Sequence, residues 1–200
     1  MTLVLIVVLV LALLAAVFAL ARFSEAFLIL RAQSVGLAFA LVPLVLVVMN
    51  VAYALAAYPA GVLSDRINKV TVLIVGLVLL IAADLVLALD TGLAGVAAGI
   101  VLWGVHMGFT QGLLASLVAD TAPPELSGTG FGIFNMTSGV ALLAASIIAG
   151  LLWDSVGPGS TFLAGAAISV VALAGLAALR LSMPGLGEPH RQEPAPNPNR

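Results

Sequence analysis

Long, almost uninterrupted runs of apolar residues constrain the fold of this 200-residue chain more than any other feature. Apolar residues make up 62% of the sequence and charged residues 8%, whereas a typical soluble domain is about 45–50% apolar and about 25% charged. A water-soluble fold with this composition would lack the polar side chains to cover its surface. Because backbone polar groups in hydrocarbon must be bonded internally, the runs predict membrane-spanning helices. The chain is therefore predicted to be an all-α integral membrane protein.

Six runs are long enough to cross a bilayer, and short polar connections separate them. They predict a single six-helix transmembrane domain over residues 1–183. The last segment, 184–200, is rich in proline and polar residues and is predicted to be a disordered cytoplasmic tail. The approximate spans are 3–30, 37–61, 70–89, 93–118, 128–152 and 161–181.

The distribution of basic residues predicts the orientation in the membrane. With a cytoplasmic N-terminus, Arg66, Lys69 and Arg180 fall on the cytoplasmic side, and Arg31 is the basic loop residue on the other side. Short cytoplasmic loops carry an excess of Lys and Arg. We therefore expect a multi-pass protein of the plasma membrane with both termini in the cytoplasm.

Several classes of chemistry lack their sequence signatures. The chain contains no cysteine, no His-Glu-x-x-His motif and no glycine-rich phosphate loop followed by lysine. The net charge is only -2 and there is no basic run, so the sequence gives no sign of a nucleic-acid partner. We predict that the chain is not an enzyme and binds no metal or cofactor.

A short motif recurs at equivalent points of the two halves of the chain. Gly61-Val62-Leu63-Ser64-Asp65 follows the second predicted span, and Gly150-Leu151-Leu152-Trp153-Asp154 follows the fifth. Both read Gly-x-Leu-x-Asp. Because the copies are three spans apart, they lie on opposite sides of the membrane, as expected for two inverted three-helix repeats. The alternative is a generic helix exit, with glycine for packing and aspartate for the turn.

Three segments carry a resemblance to a known family. Gly61, Asp65 and Arg66 match the loop signature Gly-x-x-x-Asp-Arg/Lys-x-Gly-Arg-Arg/Lys, although Asn68 and Val70 depart from it. The segments 119–132 and 22–27 are similar to the family's loop between the fourth and fifth helices of a half and to the first helix of its second half. On these residues the chain resembles the major facilitator superfamily, specifically its C-terminal six-helix half.

The resemblance implies a secondary active transporter, moving small molecules or drugs out of the cell at the expense of an ion gradient. Because the family normally has twelve spans, it also implies that this chain is one half or a truncated form. The expected partners are the lipid bilayer, a small-molecule substrate, and either a missing N-terminal half or a second copy of the chain. The alternative is a non-transporting membrane scaffold or assembly subunit.

Arg22, Glu25 and His106 are the main candidates for substrate binding or coupling. Arg22 and Glu25 are three residues apart on one helix face, so they can pair with each other, and charges within hydrocarbon usually face a polar cavity or a partner. His106 can carry a proton near neutral pH. The resemblance implies that the helices bearing these residues line the central cavity. The alternatives are an interfacial position for Arg22 and Glu25, and a helix–helix hydrogen bond for His106.

Other polar positions are weaker candidates. Asn50 and Tyr53 share a face of the second helix and can contact substrate or bond between helices. The loop motif residues Gly61, Asp65 and Arg66 lie where the family has its gating latch, although a charged turn is an equal alternative.

A stripe of small residues on the fourth helix predicts close packing. Gly104, Gly108 and Gly112 recur at a spacing of four, and such stripes let helix backbones approach each other.

Overall fold

The computed structural model describes residues 16–121 and 127–182. The predicted tail 184–200 and the beginning of the first predicted span lie outside these residues. The described residues are helical, with a one-turn 3-10 helix at Phe39–Leu41 and no strand. The main helices are α1 (Ala26–Ser34), α2 (Val42–Ser64), α3 (Lys69–Leu89), α4 (Leu93–Thr121), α5 (Ser127–Ser155) and α6 (Pro158–Ser182).

Five of these helices, α2 to α6, are long and apolar enough to cross a membrane. The shortest, α3, has 21 residues, and at about 1.5 Å per residue such a helix reaches across a hydrocarbon core of about 30 Å. They occur in the order of the second to sixth predicted spans. The prediction of an all-helical, multi-pass membrane protein is confirmed.

The first predicted span is not one continuous helix in its described part, which corrects the expected helix over 3–30. Residues 16–21 are helical, residues 22–25 leave the helix, and α1 then begins at Ala26. The Ser24 amide donates to the Ser146 hydroxyl of α5 at 3.2 Å, and the Ser24 hydroxyl accepts from the Ala26 amide at 3.3 Å. A break in a membrane helix is tolerated where neighbouring groups form hydrogen bonds with the backbone groups that the break leaves unpaired. Hydropathy along the sequence does not reveal these bonds.

The two ends of the bundle are closed by tight turns. We call them the Asp65 end, where α2 meets α3, and the Asp90 end, where α3 meets α4. The Asn68 side chain caps α3 by accepting from the Val70 amide at 2.8 Å, and the Asp90 carboxylate accepts from the Gly92 amide at 2.7 Å. Gly157 turns the chain into α6 with a φ of 126°, a conformation that glycine adopts without a steric penalty.

Helix α4 is the central helix of the described bundle. It packs along both α2 and α3, while α3 packs on its other side against α6. Helix α5 contacts α6 and α4 less extensively. One buried cluster at the Asp90 end surrounds Trp103 and Phe162, and a second towards the Asp65 end surrounds Leu73 and Leu117.

Arg31 ties α1 to the end of α3. It is 7% exposed, and its guanidinium donates to the carbonyl of Leu87 at 2.7 Å and to that of Asp90 at 2.8 Å. The last carbonyls of a helix have no partner within the helix. The Arg31 guanidinium donates to these carbonyls, and the hydrogen bonds offset the cost of burying its charge.

Replacing Arg31 should loosen this end of the bundle. We expect Arg31→Gln to lower the free energy of unfolding by about 2–3 kcal/mol, because charge-assisted hydrogen bonds to buried carbonyls are lost. Arg180→Gln removes an exposed arginine from the last turn of α6 and should have little effect. Unfolding of the purified variants in detergent micelles measures both, and equal stability of the two variants would contradict this role of Arg31.

The glycine stripe makes a second prediction. A Cβ at Gly108 would lie 2.7 Å from the Cβ of Ala56 and 2.9 Å from the backbone nitrogen of Ala57, whereas one at Gly112 meets nothing within 4 Å. Gly108→Ala should therefore destabilise the bundle by about 1–3 kcal/mol through overpacking. Gly112→Ala should be neutral or stabilising by up to about 1 kcal/mol, since alanine favours helix. The same unfolding assay tests the pair, and an equal response of the two variants would rule out close α2–α4 packing at Gly108.

Candidate substrate cavity

A cavity of about 310 Å³ lies between the 16–21 segment, α4 and α5. Its lining combines charged, polar and aromatic side chains. Arg22 and His106, which the sequence analysis singled out separately, both line it. The remaining lining residues are Phe18, Ala19, Thr110, Gln111, Leu114, Phe134, Asn135 and Ser138.

Arg22 lies at the helix break and has no fixed anionic partner in the described part of the chain. Glu25 and Tyr53 are close enough to act on it electrostatically, but the expected Arg22–Glu25 ion pair within 4.0 Å is not present; the ion pair found among the described residues joins Lys69 to Asp120. The physical reason is the break at 22–25, because residues three apart share a face only on a continuous helix. Glu25 does not line the cavity.

His106 makes the helix–helix hydrogen bond that the sequence left open and also lines the cavity. It is 2% exposed, and its Nδ1 donates to the Gly76 carbonyl of α3 at 2.8 Å. Because a carbonyl only accepts, this bond places a proton on Nδ1 and leaves Nε2 of the neutral ring as an acceptor. His106 therefore ties α4 to α3 and lines the cavity.

The polar groups of α5 complete the cavity wall. Asn135 and Ser138 are three residues apart and lie on one side of α5, opposite Gln111 of α4. The sequence analysis did not select Ser138. Its spacing of three from Asn135, which puts both side chains on one face of a helix, is the signal that would have found it.

The structure separates Asn50 and Tyr53 from this cavity. Asn50 is exposed, and its side chain donates to the Leu46 carbonyl of its own helix at 2.8 Å. Tyr53 lines a second cavity of about 300 Å³ towards the Asp65 end, which includes Lys69 and Ser116.

The loop motif residues occupy the mouth of that second cavity. Gly61 and Asp65 line it, while Arg66 is exposed. The charged link at this end is made by Lys69, at the start of α3, and Asp120, near the end of α4. Two antiparallel neighbours of the bundle are thus joined across the Asp65 end.

Comparison with known proteins identifies the family. The sequence matches the Major Facilitator Superfamily over residues 3–200. The chain belongs to this superfamily. Its members are transporters and not enzymes, and the resemblance found in the sequence motifs is confirmed.

A relative and several solved structures agree with this membership. An uncharacterized MFS-type transporter of Methanocaldococcus jannaschii is 30% identical over 165 residues, which cover 80% of this chain and 41% of the relative. A crystal structure of the peptide transporter POT in complex with sulfate has a TM-score of 0.72 at 21% identity, covering 94% of this chain and 41% of that one. A POT family transporter in complex with 5-aminolevulinic acid has a TM-score of 0.73 at 21% identity, covering 92% and 41%.

The chain aligns with only part of each of these longer proteins. The superfamily member described here spans about two fifths of the length of the proteins it matches. The similarity to the solved structures concerns the fold, since the sequence identity is low.

The cavity makes a prediction about water access. Ser138 lines it, whereas Ala145, two turns further along α5, is buried in the core at 5% exposure. Because the chain has no cysteine, single cysteines can be placed at both positions and treated with a charged, membrane-impermeant thiol reagent. We expect Ser138→Cys to be labelled at least about tenfold faster than Ala145→Cys, since only the former meets water. Equal labelling would mean that the cavity is dry.

Proposed function

We propose that this chain supplies one half of a secondary active transporter that moves a small molecule out of the cell, driven by an ion gradient. The observation that carries the proposal is Arg22, a cation without an anionic partner among residues 16–121 and 127–182, beside His106 in a cavity within the spanning helices. A charge inside a bilayer costs at least a few kcal/mol unless it faces water, a partner or a ligand. A polar substrate cavity accounts for the placement of both residues.

We further propose that the fold comprises six helices arranged as two inverted three-helix repeats. The two copies of the Gly-x-Leu-x-Asp motif end α2 and α5, which run in opposite directions, so the copies lie at opposite ends of the bundle. Such repeats build alternating access by rocking about a midplane site. The second wall of the cavity then comes from another six-helix half or from a second copy of this chain.

The lining favours a substrate with an acidic group. A guanidinium pairs with a carboxylate or phosphate through two parallel hydrogen bonds, and Arg22 is free to do so. The amides of Gln111 and Asn135 and the Ser138 hydroxyl add hydrogen-bonding groups around it. Phe18 and Phe134 line the cavity too, which suits the apolar part of an amphipathic molecule.

The orientation follows from the positive-inside bias. With both termini in the cytoplasm of a plasma-membrane protein, the Asp65 end is cytoplasmic. Gly61, Asp65 and Arg66 then form a cytoplasmic gate together with the Lys69–Asp120 pair. Breaking this pair would accompany opening towards the cytoplasm.

The scaffold alternative is less well supported. A scaffold requires that buried polar residues be paired internally and leaves no need for a cavity. Arg22 lacks such a pair among the described residues, and it faces a cavity.

Transport by reconstituted protein tests the proposal. We expect everted vesicles containing the chain, with its partner half or as a dimer, to accumulate the anionic dye carboxyfluorescein under a proton gradient. Arg22→Ala should reduce this flux at least about tenfold, corresponding to about 1.4 kcal/mol of lost binding. Val171→Ala, on the exposed surface of α6, is the matched control.

Two results would count against the proposal. Equal flux in the wild type and Arg22→Ala would remove Arg22 from the substrate site. A stable assembly of the chain that moves neither this dye nor a lipophilic cation would favour the scaffold. The number of copies in each assembly is measured by native mass spectrometry of the same sample.

A further inference from the structure

Asp84 is the buried carboxylate that the substrate cavity does not use. It lies on α3 and is 0% exposed, and neither of its oxygens has a hydrogen-bond partner among the residues that the structure describes. The other described aspartates, at positions 65, 90, 120 and 154, are exposed. An unpaired carboxylate taken out of water costs several kcal/mol, whereas a protonated one is far less costly to bury.

Gly165 of α6 makes room for the Asp84 side chain. A Cβ on Gly165 would lie 2.9 Å from Oδ2 of Asp84 and 2.9 Å from a ring carbon of Phe23. The carboxyl group thus occupies the contact between α3 and α6, against an aromatic ring of the interrupted first span. The chain accommodates the group at a specific packed position, where an apolar residue would fit the surroundings better.

None of the described elements packed around Asp84 places an opposite charge against it. The ionisable groups of those elements are Arg22 and Glu25 beside Phe23, Arg31 on α1, His106 and Asp120 on α4, Lys69 and Arg180 at the far ends of α3 and α6, and Asp90 just after α3. In the described part of the chain none of them forms an ion pair with Asp84. The other unpartnered buried groups, the Trp103 indole N–H and the Ser169 hydroxyl, are uncharged.

The surroundings favour a proton over a metal cation. Sodium or calcium requires several oxygen ligands, and no group of three or more His, Asp or Glu side chains that could hold a metal occurs among the described residues. A proton needs only the one carboxylate. Asp84 is also five residues from the end of α3, or about 8 Å at the rise of a helix, so a small opening at the Asp90 end admits water.

We propose that Asp84 is a proton-binding site, separate from the cavity at Arg22 and His106, and that release of its proton loosens the contact between α3 and α6. The step is an acid dissociation, in which the O–H bond breaks and the proton passes to water that enters from the Asp90 end. The resulting carboxylate is then hydrated and the helix contact opens. Within the transporter proposed above, and resting on that proposal, this proton serves as the coupling ion.

Infrared spectroscopy of the chain in lipid nanodiscs tests the proton directly. We expect the wild type at neutral pH to show the carbonyl stretch of a protonated carboxylic acid, with loss of this band in strongly alkaline buffer. Asp84→Asn should lack the band, while Asp65→Asn, which alters an exposed aspartate, should retain it. Wild-type protein labelled with carbon-13 at the aspartate carboxyl shows without a variant that the band comes from an aspartate, because the label must then shift it.

A second readout follows the helix contact. Spin labels at Leu89→Cys on α3 and Leu163→Cys on α6 lie on exposed positions, and the absence of native cysteine makes them specific. We expect the distance between them to increase in alkaline buffer and to stay constant when Asp84→Asn is added. The absence of an aspartate acid band in the wild type would overturn the proposal, as would a pH-independent distance. Neither readout depends on transport, so failure here is distinguishable from failure of the proposed function.

Discussion

The need of every backbone amide and carbonyl in hydrocarbon for a partner within the protein governs this structure. Five helices satisfy it internally. Where a backbone group lacks a partner within its helix, at the break in the first span and at the end of α3, a specific side chain bonds to it. Ser146 accepts from the freed amide of Ser24 where the first span is broken, and Arg31 donates to the carbonyls at the end of α3.

The break at residues 22–25 connects this constraint to the cavity. It removes the helical face that Arg22 and Glu25 would otherwise share, and Arg22 lines the cavity with His106. His106 in turn bonds to Gly76, so the group that faces the cavity also fixes α4 against α3. The chemistry of the cavity and the packing of the bundle therefore depend on the same residues.

Much of this organisation could be predicted from the sequence because hydropathy reports directly on the bilayer. The order of helices α2 to α6, the superfamily and the candidates Arg22 and His106 follow from apolar runs, loop motifs and rare polar residues. Arg22 and Glu25 could pair on one helix face but form no ion pair, because the spacing rule holds only for a continuous helix and a bond from α5 stabilises the break between them. Ser138 was missed because it is one of several hydroxyl side chains on α5. Tyr53 proved to line a different cavity from Arg22.

The sequence by itself determined that the chain is a helical membrane protein, since long apolar segments in a bilayer must bond their backbone groups internally, and its loop motifs carried the resemblance to the Major Facilitator Superfamily. Only the tertiary structure decided which polar groups meet. Arg22 and His106 are 84 positions apart in the chain and come together through the packing of the 16–21 segment beside α4. The position of Asp84 beside Gly165, without a hydrogen-bond partner in the described part of the chain, was likewise decided by the fold. Contacts between distant helices depend on side-chain packing in three dimensions, which the pattern along one helix does not encode.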